Sequence, residues 1–210
     1  MSGPWVPMSD DARPDSLLGL TVRQIRDSIS DTIQLIWDID KILIEGGNEP
    51  LAEIFSGELA NYSSLLGQIF NSALVKRSNG LFKANGPNKH PDLIFADGRS
   101  GGLEVKKALE TNTPKGHLPK PGNYLTLRYV LGFYDTRMKW QKGIRGDRPI
   151  IWEVKAGFLS ESDYNVSSTA GDSGKTAVPK AEAFQRLDLL HFDPEHCPYQ
   201  LERYLKSHNS

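Results

Sequence analysis

Apolar residues recur at helical spacing from Thr21 to Ile44, where Val22, Ile25, Ile29, Ile33, Ile36 and Leu43 share one face. Thr21 and Gln24 have the spacing of a capping box at its start, and Gly46-Gly47 ends the run. Leu51 to Phe55 reads as a short helical turn. A second stripe, Leu59, Leu65, Leu66, Ile69, Phe70, Ala73 and Leu74, predicts a helix from about Gly57 to Lys76, closed by Asn79-Gly80. The pattern then changes to alternation. Strands are expected within Gly80 to Asn88, over Pro91 to Phe95 and over Leu103 to Lys106, the last two joined by the turn Asp97 to Gly102. Tyr124 to Tyr134 is a core strand with Leu125, Leu127, Tyr129 and Leu131 on one face and Arg128 on the other, and Pro149 to Gly157 is another. Arg137 to Arg148 and Asn165 to Pro179 read as connections. Ala181 to Leu187 is a short element, and a polar tail follows with Leu201, Tyr204 and Leu205 at helical spacing. Pro4, Pro7 and Pro14 discourage helix, so residues 1–19 are expected as a flexible arm and residues 20–210 as one domain. The order of elements is that of an α/β fold with an N-terminal helical segment.

Composition narrows the setting. There is no long apolar run, so no membrane-spanning helix is expected, and the N-terminus lacks the basic-then-apolar order of a signal peptide. The single cysteine, Cys197, allows no internal disulfide and fits a reducing cytoplasm. The net charge of −1 is uninformative, but its distribution is not. Residues 1–60 carry four Lys/Arg against eleven Asp/Glu, whereas residues 106–155 carry eleven against four. A basic stripe of this kind suits a polyanionic partner such as nucleic acid.

The basic stretch begins beside a cluster of carboxylates. Glu104 and Lys106 are two apart and share a strand face, while Val105 points into the core. Asp92 opens the partner strand of the hairpin and falls near Glu104. Two neighbouring carboxylates repel unless a cation lies between them, and hard oxygen donors select magnesium. A lysine beside such an ion is placed to hold a water. His90, directly before Pro91, is placed to touch phosphate or orient Asp92.

Pro91-Asp92 followed by Glu104-Val105-Lys106 resembles the motif of the PD-(D/E)xK nuclease superfamily. The resemblance covers Pro91 to Lys106 in motif and Glu58 to about Gly157 in order of elements. It implies a mixed central β-sheet flanked by helices and a magnesium ion held by Asp92, Glu104 and the Val105 carbonyl, with Lys106 positioning the attacking water. In that family a carboxylate from the preceding helix often joins the site, and by position Glu58 inherits the role. A small chain with a basic region after the motif strand looks most like a type II restriction endonuclease. That implies double-stranded DNA as substrate, a homodimer matched to a palindromic site, and a cognate DNA methyltransferase acting on the same sequence. The candidate DNA contacts are Lys115, Arg128, Arg137, Lys139, Lys142, Arg145 and Arg148. A repair nuclease or junction resolvase of the same superfamily, and a non-catalytic DNA-binding protein, are the alternatives.

Three other patterns compete. Glu153-Val154-Lys155 is a second Glu-x-Lys, but no Pro-Asp strand precedes it, so Glu104 and Lys106 are preferred. Gly171 to Thr176 is similar to the end of a P-loop, with Thr169 where the first glycine belongs. His191, His196 and Cys197 lack a fourth zinc ligand nearby.

Overall fold

The structure is a computed structural model describing residues 7–87, 89–167 and 176–208. The chain runs α1 (Val22–Glu45), α2 (Leu51–Ile54), α3 (Leu59–Arg77), β1 (Phe82–Ala84), β2 (Leu93–Phe95), β3 (Gly102–Leu109), β4 (Gly122–Tyr134), β5 (Trp140–Arg145) and β6 (Arg148–Leu159). Then follow β7 (Tyr164–Ser167), β8 (Thr176–Pro179), α4 (Ala181–Gln185), β9 (Asp188–Phe192) and α5 (Leu201–His208). The main sheet is mixed, in the order β1-β2-β3-β4-β6-β9, with β5 paired to the far end of β4. β3 and β4 are parallel, and the other named pairs are antiparallel. This is an α/β fold with a mixed central sheet flanked by helices.

The capping box at Thr21 forms as the spacing requires. Gln24 N–H donates to Thr21 Oγ1 at 3.2 Å, and Thr21 N–H donates to Gln24 Oε1 at 2.9 Å. The Gln24 amide also donates to the Arg77 carbonyl at 2.7 Å, which ties the start of α1 to the end of α3. The two helices cover one sheet face, where Ile25, Ile36, Leu66, Phe70 and Leu74 pack on Val105, Leu125, Leu127 and Tyr129. Burial of each large side chain there contributes roughly 1.5–3 kcal/mol. The opposite face is also covered. Tyr124 and Leu159 pack with Ala183 and Phe184 of α4, and Val130 and Trp152 pack with Tyr204 of α5 and with Cys197, which precedes that helix.

Three expectations are corrected here. Residues 7–19 are pinned to the core rather than forming a loose arm. Asp15–Leu17 makes a turn of 3-10 helix with Leu17 fully buried, Met8 N–H donates to the Leu189 carbonyl at 2.9 Å, and Arg26 pairs with Asp10. Arg137 to Arg148 is not a loop: it contains β5, whose side chains are mostly exposed and so leave no apolar alternation to read. The flanks of Asn165 to Pro179 form the β7–β8 pair, held by buried Tyr164 and Ala177, and β9 buries Leu189 and Leu190 beyond the short helix α4. Among the described residues no helix is long and apolar enough to cross a membrane.

Candidate functional site

β3 carries the site because it is held on one side along its length and on the other only at its start. Its ladder with β4 runs from Leu103 opposite Asn123 to Leu109 opposite Tyr129, but β2 meets it only through Leu93 opposite Leu103 and Ile94 opposite Gly102. From Glu104 onward the β2 edge is free of strand partners, and Asp92 fills that place with its side chain. Val105 N–H donates to Asp92 Oδ2 at 2.8 Å, and Asp92 N–H donates to Glu104 Oε2 at 3.1 Å. The N–H and C=O of one strand residue point to the same edge, so the Val105 carbonyl lies on the Asp92 side.

Glu104 is buried and has three hydrogen-bonding partners, which leaves one acceptor site for a cation. Its Oε1 accepts from Lys106 Nζ at 2.5 Å, and its Oε2 lies 3.0 Å from His90 Nδ1. His90 reaches it across a cis His90–Pro91 peptide. Burial, and then the Glu104 charge, push the Asp92 pKa above the usual carboxylate value, while the Val105 N–H draws it back. A cation at this edge would relieve that repulsion. The donor set is two carboxylates and one backbone carbonyl, all hard oxygens that fit magnesium. Among the described residues, no three His, Cys, Asp or Glu side chains gather as a metal-holding group.

The β3–β4 connection closes over the site without a helix. Gly116 and Ala177 exchange backbone hydrogen bonds of 2.9 and 2.7 Å, and a Cβ at Gly116 would lie 3.7 Å from Lys106 Cε. Lys115 thereby borders the recess that contains Lys106, Tyr124 and Thr126.

The structure brings Asp92, Glu104, Val105 and Lys106 together, with Lys115 at their margin. It does not bring Glu58 there. Glu58 is the exposed N-cap of α3 and accepts from the Asn61 amide at 2.6 Å. Gly67, which lies against Lys107, comes nine residues later. At 1.5 Å per residue that places Glu58 about 13 Å back along the helix.

Arg128 is also misplaced as a DNA contact. It is 3% exposed and forms a bidentate pair with Glu153, at 2.6 Å from Nε and 2.5 Å from Nη2. Its guanidinium lies 4.3 Å from the Trp152 ring centroid and bonds to the hydroxyls of Tyr199 and Tyr204. The second Glu-x-Lys lies within the same buried cluster: Glu153 and Lys155 are both 0% exposed, and Lys155 Nζ donates to the Phe184 carbonyl at 3.2 Å.

The other basic candidates surround β5. Arg137 and Lys139 are exposed at the β4–β5 turn, Lys142 reaches the Tyr199 carbonyl, Arg145 pairs with Glu110, and Arg148 lies over the Tyr134 ring. Tyr124 to Gly132 is eight steps along β4, so Arg145 and Arg148 lie about 26 Å from the level of Glu104, with Arg137 and Lys139 further out at the turn. His191, His196 and Cys197 do not converge: His191 Nε2 lies 3.0 Å from the Ile151 carbonyl, His196 bridges Asp193 and Tyr134, and Cys197 is buried beside Trp152. The glycine-rich stretch at 171–175 lies outside the described residues.

Motif spacing alone does not reveal Lys107. Alternation sends it under α3, toward Gly67, and its pKa is lowered by burial against the upward pull of Asp92. Compared with known proteins, the chain matches no family model, no curated protein and no solved structure.

Proposed function

We propose that this chain is a magnesium-dependent endonuclease that hydrolyses phosphodiester bonds in double-stranded DNA at a specific short sequence, in the manner of a type II restriction endonuclease. The observation that carries the reading is the edge of β3, where Asp92, Glu104 and the Val105 carbonyl meet with Lys106 bonded to Glu104. Asp92, Glu104 and the Val105 carbonyl would hold the ion. When bound, magnesium stabilises charge on a phosphoryl oxygen and lowers the pKa of water. Lys106 is fixed by Glu104 through one N–H, which leaves its other donors to orient a water and a phosphate oxygen. His90 holds the far oxygen of Glu104 and fixes the carboxylate plane.

The basic surface around β5 supports a duplex partner, because about 26 Å along β4 corresponds to less than one turn of DNA. A palindromic site calls for two-fold symmetry, and the face of α1 carrying exposed Trp37 and Ile44, seven residues apart, offers a second copy an apolar surface. A cognate methyltransferase would protect the same sequence in the host without a stable complex.

The test is incubation of long duplex DNA with the purified protein, with and without magnesium, alongside Asp92→Asn and Glu104→Gln. Discrete fragments only with magnesium, lost in both variants, are expected. Asp92→Asn removes a charge disfavoured by burial and by Glu104, so it should melt at or above the wild-type temperature while losing cleavage. Cutting confined to branched or damaged substrates would point to a repair nuclease. Full activity in either variant would remove this site from the mechanism.

A further inference from the structure

Lys107 sits on the face of β3 opposite Lys106, beneath α3. A Cβ at Gly67 would stand 2.6 Å from both Cε and Nζ of Lys107 and 2.7 Å from its Cδ. The side chain therefore runs through a gap that only glycine leaves in the helix. Glycine weakens a helix interior, so the gap is maintained against local preference. Among the described residues Lys107 makes no hydrogen bond and no ion pair. After burial, the strongest influence on it is the charge of Asp92, and Asp92 in turn feels both Lys106 and Lys107. The site thus holds two carboxylates and two ammonium groups, with one ammonium on each face of β3.

We propose that Lys107 is a positioning residue of the cation site, whose charge opposes the divalent cation and attracts the substrate phosphate. This rests on the nuclease reading above. With both lysines charged, the four side chains are neutral together, and a divalent cation makes the edge doubly positive. Without Lys107, the empty site is negative and the loaded one only singly positive. The cation is then held more tightly and the phosphodiester less so.

Lys107→Met tests this, because methionine fits the same gap without the charge. Calcium binding is measured by titration calorimetry, and duplex binding in saturating calcium by fluorescence anisotropy. The variant should bind calcium about tenfold more tightly, the order expected when a like charge near a dication is removed in a water-like dielectric. Its duplex affinity should fall about threefold for the single charge of a phosphate. Opposite changes of this kind are not produced by local damage, which weakens both. Gly67→Ala, which crowds the end of the Lys107 side chain out of the gap, should move both affinities in the same directions by a smaller amount. If Lys107→Met leaves both affinities unchanged, or weakens both, the proposal is overturned. If wild-type protein binds calcium and Asp92→Asn abolishes that binding, the cation site stands whatever Lys107 does. If wild-type protein binds no calcium, the nuclease reading fails and takes this inference with it.

Discussion

Replacing Glu153 by Gln should damage stability far more than any change at the exposed basic residues. Glu153 and Arg128 are 0% and 3% exposed, and the pair is joined at 2.6 and 2.5 Å beneath α5. Gln keeps the volume but turns one acceptor into a donor facing the guanidinium. It also leaves Arg128 and Lys155 facing each other as like charges, since Glu153 is what raises the Lys155 pKa against burial and Arg128 lowers it. Breaking a buried pair from one side costs about 3–5 kcal/mol. In a domain of this length each kcal/mol shifts Tm by about 2–4 °C, so a drop of about 6–20 °C is expected. Arg128→Met leaves Glu153 beside Lys155 as opposite charges and should fall at the lower end of that range. The double variant, Arg128→Met with Glu153→Met, should recover part of the single-variant loss, because an apolar pair of similar volume removes both desolvation penalties while Lys155 still loses its carboxylate. Thermal and urea melts followed by far-UV circular dichroism give these values. Duplex affinity is measured in parallel at a temperature where every variant is folded. If Glu153→Gln melts within about 2 °C of wild type, the pair is not the structural element described. If Arg128→Met melts like wild type but loses duplex affinity, Arg128 is a DNA contact after all.

Lys155 predicts a pH signature. Burial brings its pKa to about 8 from an unfolded value of 10.5, so above pH 8 the unfolded chain holds the extra proton and stability should rise with pH. Melting temperatures measured from pH 7.5 to 9.5 should show a rise that Lys155→Met abolishes, and equal slopes in the two proteins would refute the assignment. Lys106→Met should abolish magnesium-dependent cleavage, whereas Lys155→Met should retain it at temperatures where the variant is folded; the reverse ranking in one cleavage assay would place the chemistry at Glu153-Val154-Lys155. Alanine at exposed Arg137 or Lys139 should each reduce the salt slope of duplex binding by about one unit, and unchanged slopes would make the β5 surface merely solvated.

Local pattern was sufficient where an element covers its own neighbour in sequence. The α1 stripe, the Thr21 capping box and the alternation of β4 follow from residues a few positions apart, and the approach of Asp92 to Glu104 from one turn twelve residues around. Arg128 shows where that stops. Alternation correctly placed it opposite Leu125 and Leu127, and that face was expected to be open to DNA. It is closed by α4, α5 and the β7–β8 pair, drawn from the weakly patterned C-terminal third in which Tyr199 and Tyr204 bond to Arg128. β5 was missed because a strand exposed on both faces carries no apolar period. Glu58 was assigned from its place in the sequence, but α3 faces β3 through Gly67, two and a half turns further on. Val105 N–H as the partner of Asp92 required the early end of the β2–β3 ladder, a length that turn chemistry alone does not set.

That short ladder has a consequence for what holds the site together. Glu104 and Lys106 belong to a strand anchored along its whole length by β4, which is itself sewn to β6 from Gly122 to Gly132. Asp92 immediately precedes a three-residue strand whose only inner neighbour is met at Leu93 and Ile94. The position of Asp92 therefore rests on the packing of the β1–β2 hairpin, through Phe82, Leu93 and Phe95 in the main core, more than on strand pairing. On the nuclease reading, a substitution that loosens Phe82 against Phe95 would separate one carboxylate from the other and so lower cleavage and the global melting temperature together.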